Sequence, residues 1–307
     1  MPTVMSRFVI PGFLRVARRN RNYIDAERAE AHIRESALRP LPYGPPRTLR
    51  GVDIAVVRDH GWPVYTLTPR TGEPRGGLVY AHGGGWVGEI AVQHWRLAAM
   101  LAIRARLTVT VPIYPLIPFG TAADVIPRVA DLVRTSADEH GPTFLAGDSA
   151  GGQIALSTAL HLRDLGTTLP RTVLISPALD LTLENPQIDV VQQRDPWLGR
   201  DGGLVYGRRW SGELPMKDPM VSPLFGDLTG LGPITLFTGT DDILNPDARL
   251  LRDKARAAGV DLDYIEKPGL VHVYPLTPSP EGATARRHIV TTLCADLDGA
   301  QDVSSQR

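Results

Sequence analysis

Ser149 lies in the run Gly147-Asp148-Ser149-Ala150-Gly151-Gly152, a Gly-x-Ser-x-Gly pattern. An apolar, strand-like run (Thr143 to Ala146) precedes it, and a helix-forming run (Gly151 to Leu165) follows. A strand that turns at once into a helix holds the central serine in strained backbone. Only glycines two residues to either side leave room for so close an approach. Such a turn lifts the hydroxyl above the sheet and aims the free N–H groups of the helix at any anion formed beside it. Chance gives this pattern roughly 0.1 times in a chain of this composition, so the strand-to-helix setting carries the argument. The chemistry it suits is nucleophilic attack by a hydroxyl.

A second run, His82-Gly83-Gly84-Gly85-Trp86, closes the apolar stretch Gly77 to Ala81. Consecutive glycines expose backbone N–H groups with no side chain in the way. The N–H groups of Gly83 and Gly84, with that of Ala150, are therefore the candidate donors to an oxyanion growing beside Ser149. A hydroxyl also needs a base, and the base an orienting acid. In sheets of this kind both follow the nucleophile, acid first, on loops after late strands. His272 follows the run Val260 to Ile265, and the neighbours Asp241 and Asp242 follow Ile234 to Phe237. Of the eight histidines, His32, His94, His161 and His288 fall in helical stretches and read as satisfied or solvated rings. His60 and His140 sit near turns, and His82 reads as a residue that holds the glycine loop, which leaves His272 as the base.

The elements that must position these residues alternate. Apolar runs at Gly77 to Ala81, Leu107 to Ile113, Thr143 to Ala146, Thr172 to Ile175, Ile234 to Phe237 and Val260 to Ile265 read as strands. Most are separated by amphipathic helices, at His94 to Arg104, Ala122 to Glu139, Gly151 to Leu165, Pro246 to Ala258 and Gly282 to Leu297. That order predicts an α/β fold with a mainly parallel sheet covered on both faces. Val52 to Val57 and Val64 to Thr68 are expected as edge strands, and Asn22 to Leu38 as a helix stopped by Pro40 and Pro42. The interval Asp180 to Leu231 breaks the rhythm and far exceeds the roughly two to six residues of an ordinary connection, so it reads as a lid. The expected organisation is residues 1–50 as a helical segment, 51–179 as the first part of the core, 180–231 as a cap or lid and 232–307 as the second part. Trp197 and Trp210 of the lid, with Trp86, are expected to wall a substrate pocket.

Composition closes off other classes. The 33 Lys and Arg balance the 33 Asp and Glu, which argues against nucleic acid as a partner. The single cysteine, Cys294, allows no internal disulfide and reads as a small buried hydrophobe. No apolar run approaches the ~18 residues of a membrane span, and Pro11 and Gly12 interrupt the mixed apolar and arginine-bearing start. A cytoplasmic setting is the expectation, with a homodimer left open.

These motifs together resemble the hormone-sensitive-lipase-like branch of the α/β-hydrolase superfamily, a group of bacterial esterases and lipases. The resemblance runs from Gly77 to Leu297. It includes His94-Trp95-Arg96, Tyr114-Pro115-Leu116, Ser176-Pro177, Asp242-Ile243-Leu244 and Gly269-Leu270-Val271-His272 beside the two glycine motifs. It implies an α/β-hydrolase fold with a helical cap, and a carboxylic-ester hydrolase that needs no metal or organic cofactor. It also selects Asp242 over Asp241, because the acid of the family precedes an x-Leu pair. The chain departs from the family at Phe119-Gly120-Thr121-Ala122, near the expected substrate entrance, so substrate preference does not carry over. The reading is a serine carboxylesterase for short- to medium-chain acyl esters, working through Ser149, His272 and Asp242. An amidase or acyltransferase would use the same triad; a membrane-associated lipase would need Met1 to Leu14 as an anchor, and this short, proline-broken segment argues against a membrane partner. A non-catalytic receptor is disfavoured because all three triad residues are present.

Overall fold

A computed structural model describes residues 2–305. The chain opens with a π-helical turn, Met5–Val9, that continues into α1 (Ile10–Val16), followed by α2 (Ala26–Leu38). The helix expected from Asn22 starts only at Ala26, because the Asp25 side chain accepts the Arg28 N–H and caps it. Next comes a hairpin, β1 (Val52–Asp59) and β2 (Trp62–Pro69), whose two-residue turn His60-Gly61 has positive φ at both positions.

The core then alternates as β3 (Gly77–Ala81), α3 (Val92–Ala105), β4 (Thr108–Pro112), α4 (Ala122–His140), β5 (Thr143–Asp148), α5 (Ala150–Asp164) and β6 (Thr172–Ile175). Residues 180–231 supply α6 (Gln187–Gln192), α7 (Arg200–Ser211) and a short 3₁₀ turn. The chain ends with β7 (Ile234–Asp241), α8 (Asn245–Ala257), β8 (Leu262–Val271) and α9 (Pro280–Ser305). The strand order is β1-β2-β4-β3-β5-β6-β7-β8, antiparallel at β1/β2 and β2/β4 and parallel from β4 onward. Only β1 of the expected pair is an edge strand. β2 bonds to β4 on its far side, so the second expected edge is an interior strand.

Successive residues of the central strands go to opposite faces. Val79, Ala81, Leu145, Leu174 and Leu236 pack with α4, α5 and α8. Leu78, Tyr80, Phe144, Ala146, Val173 and Phe237 pack with α3 and α9. This two-residue alternation with both faces apolar is why the strands read as unbroken hydrophobic runs. The helix α7 is fastened to the N-terminal region. Arg209 grips Glu30 of α2, Tyr206 Oη lies 2.8 Å from His32 Nδ1, and the Tyr23 and Tyr206 rings meet edge to face at 5.2 Å.

Candidate active site

The link between β5 and α5 is one residue, Ser149, held at φ 54° and ψ −119°. A Cβ on Gly147 would come within 2.1 Å of the Gly151 carbonyl oxygen, and one on Gly151 within 2.1 Å of that of Ala81. The turn therefore exists only with glycine at both places. It presents Ser149 Oγ at 2.9 Å from His272 Nε2, and His272 Nδ1 lies 2.8 Å from Asp242 Oδ2. With the proton on Nδ1 donated to the carboxylate, Nε2 is free to accept from the hydroxyl. The other Asp242 oxygen accepts the Leu244 N–H, while Asp241 turns away to pair with Arg194. His272 sits on the loop after β8, and that loop is held from beneath by Ser176, whose hydroxyl accepts the Val273 N–H at 3.0 Å. The Ser176-Pro177 motif thus positions the His272 loop.

Burial alone lowers the His272 pKa. The charge and hydrogen bond of Asp242, with smaller contributions from Asp195 and Asp148, outweigh burial and leave it above the ordinary imidazole value. Trp197 packs its edge against the His272 ring at 5.7 Å. His82 differs entirely. It is fully buried, stacks on Tyr114 and directs Nδ1 at the Gly83 carbonyl, and burial pushes its pKa down to about 4. It is a neutral ring inside the loop, in keeping with the part expected of it.

Of the three N–H groups expected to meet an oxyanion, one is already taken. The Gly83 N–H is engaged, at 2.9 Å from Asp148 Oδ1. The N–H groups of Gly84, Gly85 and Ala150 meet no protein acceptor among the described residues, and Gly85 and Ala150 line the same cavity as Ser149. That cavity encloses about 460 Å³ including its mouth. Its walls come from Tyr23, Trp86, Leu181, Leu183, Leu198, Tyr206, Ile243 and Leu244. Of the three expected tryptophans only Trp86 lines it. Trp210 is fully buried behind Trp86, stacked at 5.8 Å, and both indoles donate to the same Gln153 oxygen. Trp197 lies against His272 instead of on the cavity wall. Among the described residues no three His, Cys, Asp or Glu side chains converge as a metal site.

Two buried acids escaped the sequence reading. Asp148 joins the two glycine motifs: it accepts from Tyr80 Oη and the Gly83 N–H and faces His94 Nε2 at 3.3 Å. His94 Nδ1 accepts the Ala91 N–H, which places its proton on Nε2, toward Asp148. Although burial opposes ionisation, His94 and the hydrogen bonds hold the Asp148 pKa below its ordinary value. His94 was expected as a satisfied helical ring, and its partner is this carboxylate. The adjacency of Asp148 to Ser149 was the available signal.

Asp195 is the second. It accepts the N–H groups of Trp197, Leu198 and Ile243, tying residues 195–198 to the segment that follows Asp242. Burial, then the Asp242 charge, pushes its pKa up to about 7 despite those three donors. Because Asp195 also raises the His272 pKa, the two titrations are linked. Neutral His272 is the form able to accept a proton, so in a hydrolysis that uses it as base the acid limb of kcat/KM is expected to fall as pH drops through its raised pKa. Asp195→Asn removes a negative charge and is expected to move that limb to lower pH in esterase assays. An unmoved limb in a folded variant would sever the link.

A family profile described as alpha/beta hydrolase fold matches residues 78–276. A triacylglycerol lipase of Mycobacterium tuberculosis is 33% identical over 73% of this chain, which spans only 48% of that protein's length. An acetyl-hydrolase of Streptomyces hygroscopicus is 32% identical over 64% of this chain and 67% of its own. The solved structure of an esterase from the bacterial hormone-sensitive lipase family superposes with a TM-score of 0.80 at 24% identity, over 97% of this chain and 100% of that one. The chain belongs to the α/β-hydrolase family.

Proposed function

We propose that the protein is a serine carboxylesterase that hydrolyses acyl esters of about two to eight carbons, the size a bounded apolar pocket accepts. The observation that carries this reading is the hydrogen-bonded line from Ser149 Oγ through His272 to Asp242, in one cavity with the unengaged N–H groups of Gly85 and Ala150. Ser149 attacks the ester carbonyl while His272 takes its proton, and the tetrahedral oxyanion is held by the N–H groups of Gly84, Gly85 and Ala150. The proton then passes from His272 to the departing alcohol, leaving an acyl-enzyme. Water, activated by the same imidazole, attacks the acyl carbon and regenerates Ser149. Asp242 keeps the ring in the required tautomer and stabilises its charged form.

Residues 1–50 and 180–231 act together as the cap in this reading. Tyr23 from the first and Leu181, Leu183, Leu198 and Tyr206 from the second wall the cavity over Ser149. These apolar walls bound the space beside Ser149, which suits a short or medium acyl chain better than a long one. The names of the relatives, a triacylglycerol lipase and an acetyl-hydrolase, bracket this range.

A panel of aryl esters with acyl chains from two to sixteen carbons tests the assignment. Turnover is expected to peak within about two to eight carbons and to vanish after treatment with a serine-directed phosphonate. Rapid hydrolysis of long-chain triglyceride emulsions, with a steep rise on formation of the interface, would assign the site to a lipase instead.

A further inference from the structure

The first helical segment reverses the usual arrangement of a surface helix. Ser6, Pro11 and Leu14 are buried against the body, yet the outward side is also apolar. Val4, Phe8, Phe13 and Val16 are 70%, 63%, 62% and 87% exposed, joined by Met5 and Val9. Positions 4, 8 and 5, 9, 13, 16 recur at helical spacing, so these side chains form one stripe facing solvent. Around and beyond it stand Arg7, Arg15, Arg18, Arg19 and Arg21, all exposed, and no Asp or Glu occurs before Asp25. The Arg7 guanidinium lies over the Phe8 ring at 5.6 Å.

This stripe is held firmly in place. The Thr3 and Ser6 hydroxyls donate to Glu281, and Arg15 reaches the Arg194 carbonyl. The segment then leads to Tyr23, which lines the cavity that holds Ser149. An apolar stripe bordered by cations with no ion pair among the described residues has the pattern of a helix that lies in a membrane interface. A second copy of the chain complements it poorly, because pairing the stripe with itself brings five arginines against five more.

We propose that residues 4–21 form a docking face for an anionic lipid surface, with the apolar stripe at the acyl boundary and the arginines against headgroup phosphates. Docked this way, the mouth of the cavity stands close to the bilayer. The idea that esters dissolved in the membrane reach the site by this route rests on the esterase reading, whereas the docking itself does not.

Flotation with phosphatidylcholine vesicles, with and without added phosphatidylglycerol, tests the proposal on the full chain carrying Ser149→Ala, so that no lipid is consumed. Binding to the anionic vesicles is expected to exceed binding to the neutral ones. It should fall about tenfold or more when salt rises from about 0.1 to 1 M, as the screening length shrinks from about 10 to about 3 Å. Arg18→Gln with Arg19→Gln should weaken it by roughly twenty-five-fold, at about fivefold per arginine. Phe8→Ser with Phe13→Ser should weaken it by at least about tenfold. On an active background the same substitutions should leave turnover of a soluble aryl ester unchanged, since none of the four side chains reaches the site. Loss of that turnover in the parent protein, with flotation intact, would fail the esterase reading and leave the docking standing. Absence of flotation with either vesicle would overturn the docking. So would flotation indifferent to all four substitutions, or a dimer in sedimentation velocity that Phe8→Ser with Phe13→Ser dissociates while vesicles go unbound.

Discussion

Ser149→Ala is expected to lower ester turnover by about 10⁴-fold or more while the protein stays folded. Oγ lies 2.9 Å from His272 Nε2, and Ser149 lines one cavity with Gly85 and Ala150, whose N–H groups meet no acceptor among the described residues. Without it, water must attack with no positioned nucleophile and no acyl-enzyme can form. What remains is the help given by the oxyanion donors and by substrate binding, which explains why the loss is large but finite. The backbone at Ser149 is unusual for any residue with a side chain, so alanine inherits the same strain and adds no new one. His272 loses a hydrogen bond at Nε2 but keeps the one to Asp242. Thermal unfolding of the variant should thus stay near that of the parent while labelling by a phosphonate disappears. Activity that survives in the pure, folded variant would move the nucleophile elsewhere.

How well the sequence foretold these parts depended on the kind of signal each one carries. The strands β3 and β6 were legible to the residue, because continuous apolar runs end abruptly at Gly, Ser and His. The strands β7 and β8 run longer than their apolar stretches, to Asp241 and Val271. Just past Phe237 and Ile265 come polar ladder positions, paired as Thr238 with Glu266 and Gly239 with Lys267, where hydropathy falls silent. Ser149, Asp242 and His272 were legible as letters in fixed settings, and the fold brings all three within hydrogen-bond reach. The donors were legible only as a group. Which glycine N–H faces the cavity is decided by the buried carboxylate of Asp148, which claims Gly83 across a sequence distance of 65 residues. Trp210 was misplaced for a related reason: size and aromaticity mark a residue as valuable to a pocket wall or to a core, and the Gln153 amide oxygen draws it inward. Asp195 left no motif at all, since its three partners are backbone N–H groups available at almost any residue.

The adjacent carboxylates Asp241 and Asp242 give the sharpest contrast between two single substitutions. Asp242→Asn is expected to reduce turnover by about 10³ to 10⁴, and Asp241→Asn by less than about tenfold. Asp242 is fully buried and meets His272 Nδ1 at 2.8 Å. An asparagine there can rotate its amide NH₂ toward Nδ1 and so favour the tautomer with the proton on Nε2, which leaves nothing to accept the Ser149 proton. It also removes the negative charge that stabilises the imidazolium formed during attack, and that charge is what chiefly raises the His272 pKa against burial. The Leu244 N–H keeps an acceptor only if the amide oxygen turns its way, and that is the orientation that sets the NH₂ against the ring. Asp241 has a different task. It pairs at 3.3 Å with Arg194, whose side chain is half exposed, so its loss removes an ion pair worth well under about 1 kcal/mol and touches no reacting atom. Measuring kcat/KM against pH for both folded variants separates the two roles, because Asp242→Asn should also shift the acid limb to lower pH, whereas Asp241→Asn should leave it in place. The opposite ranking of the two losses would transfer the orienting role to Asp241.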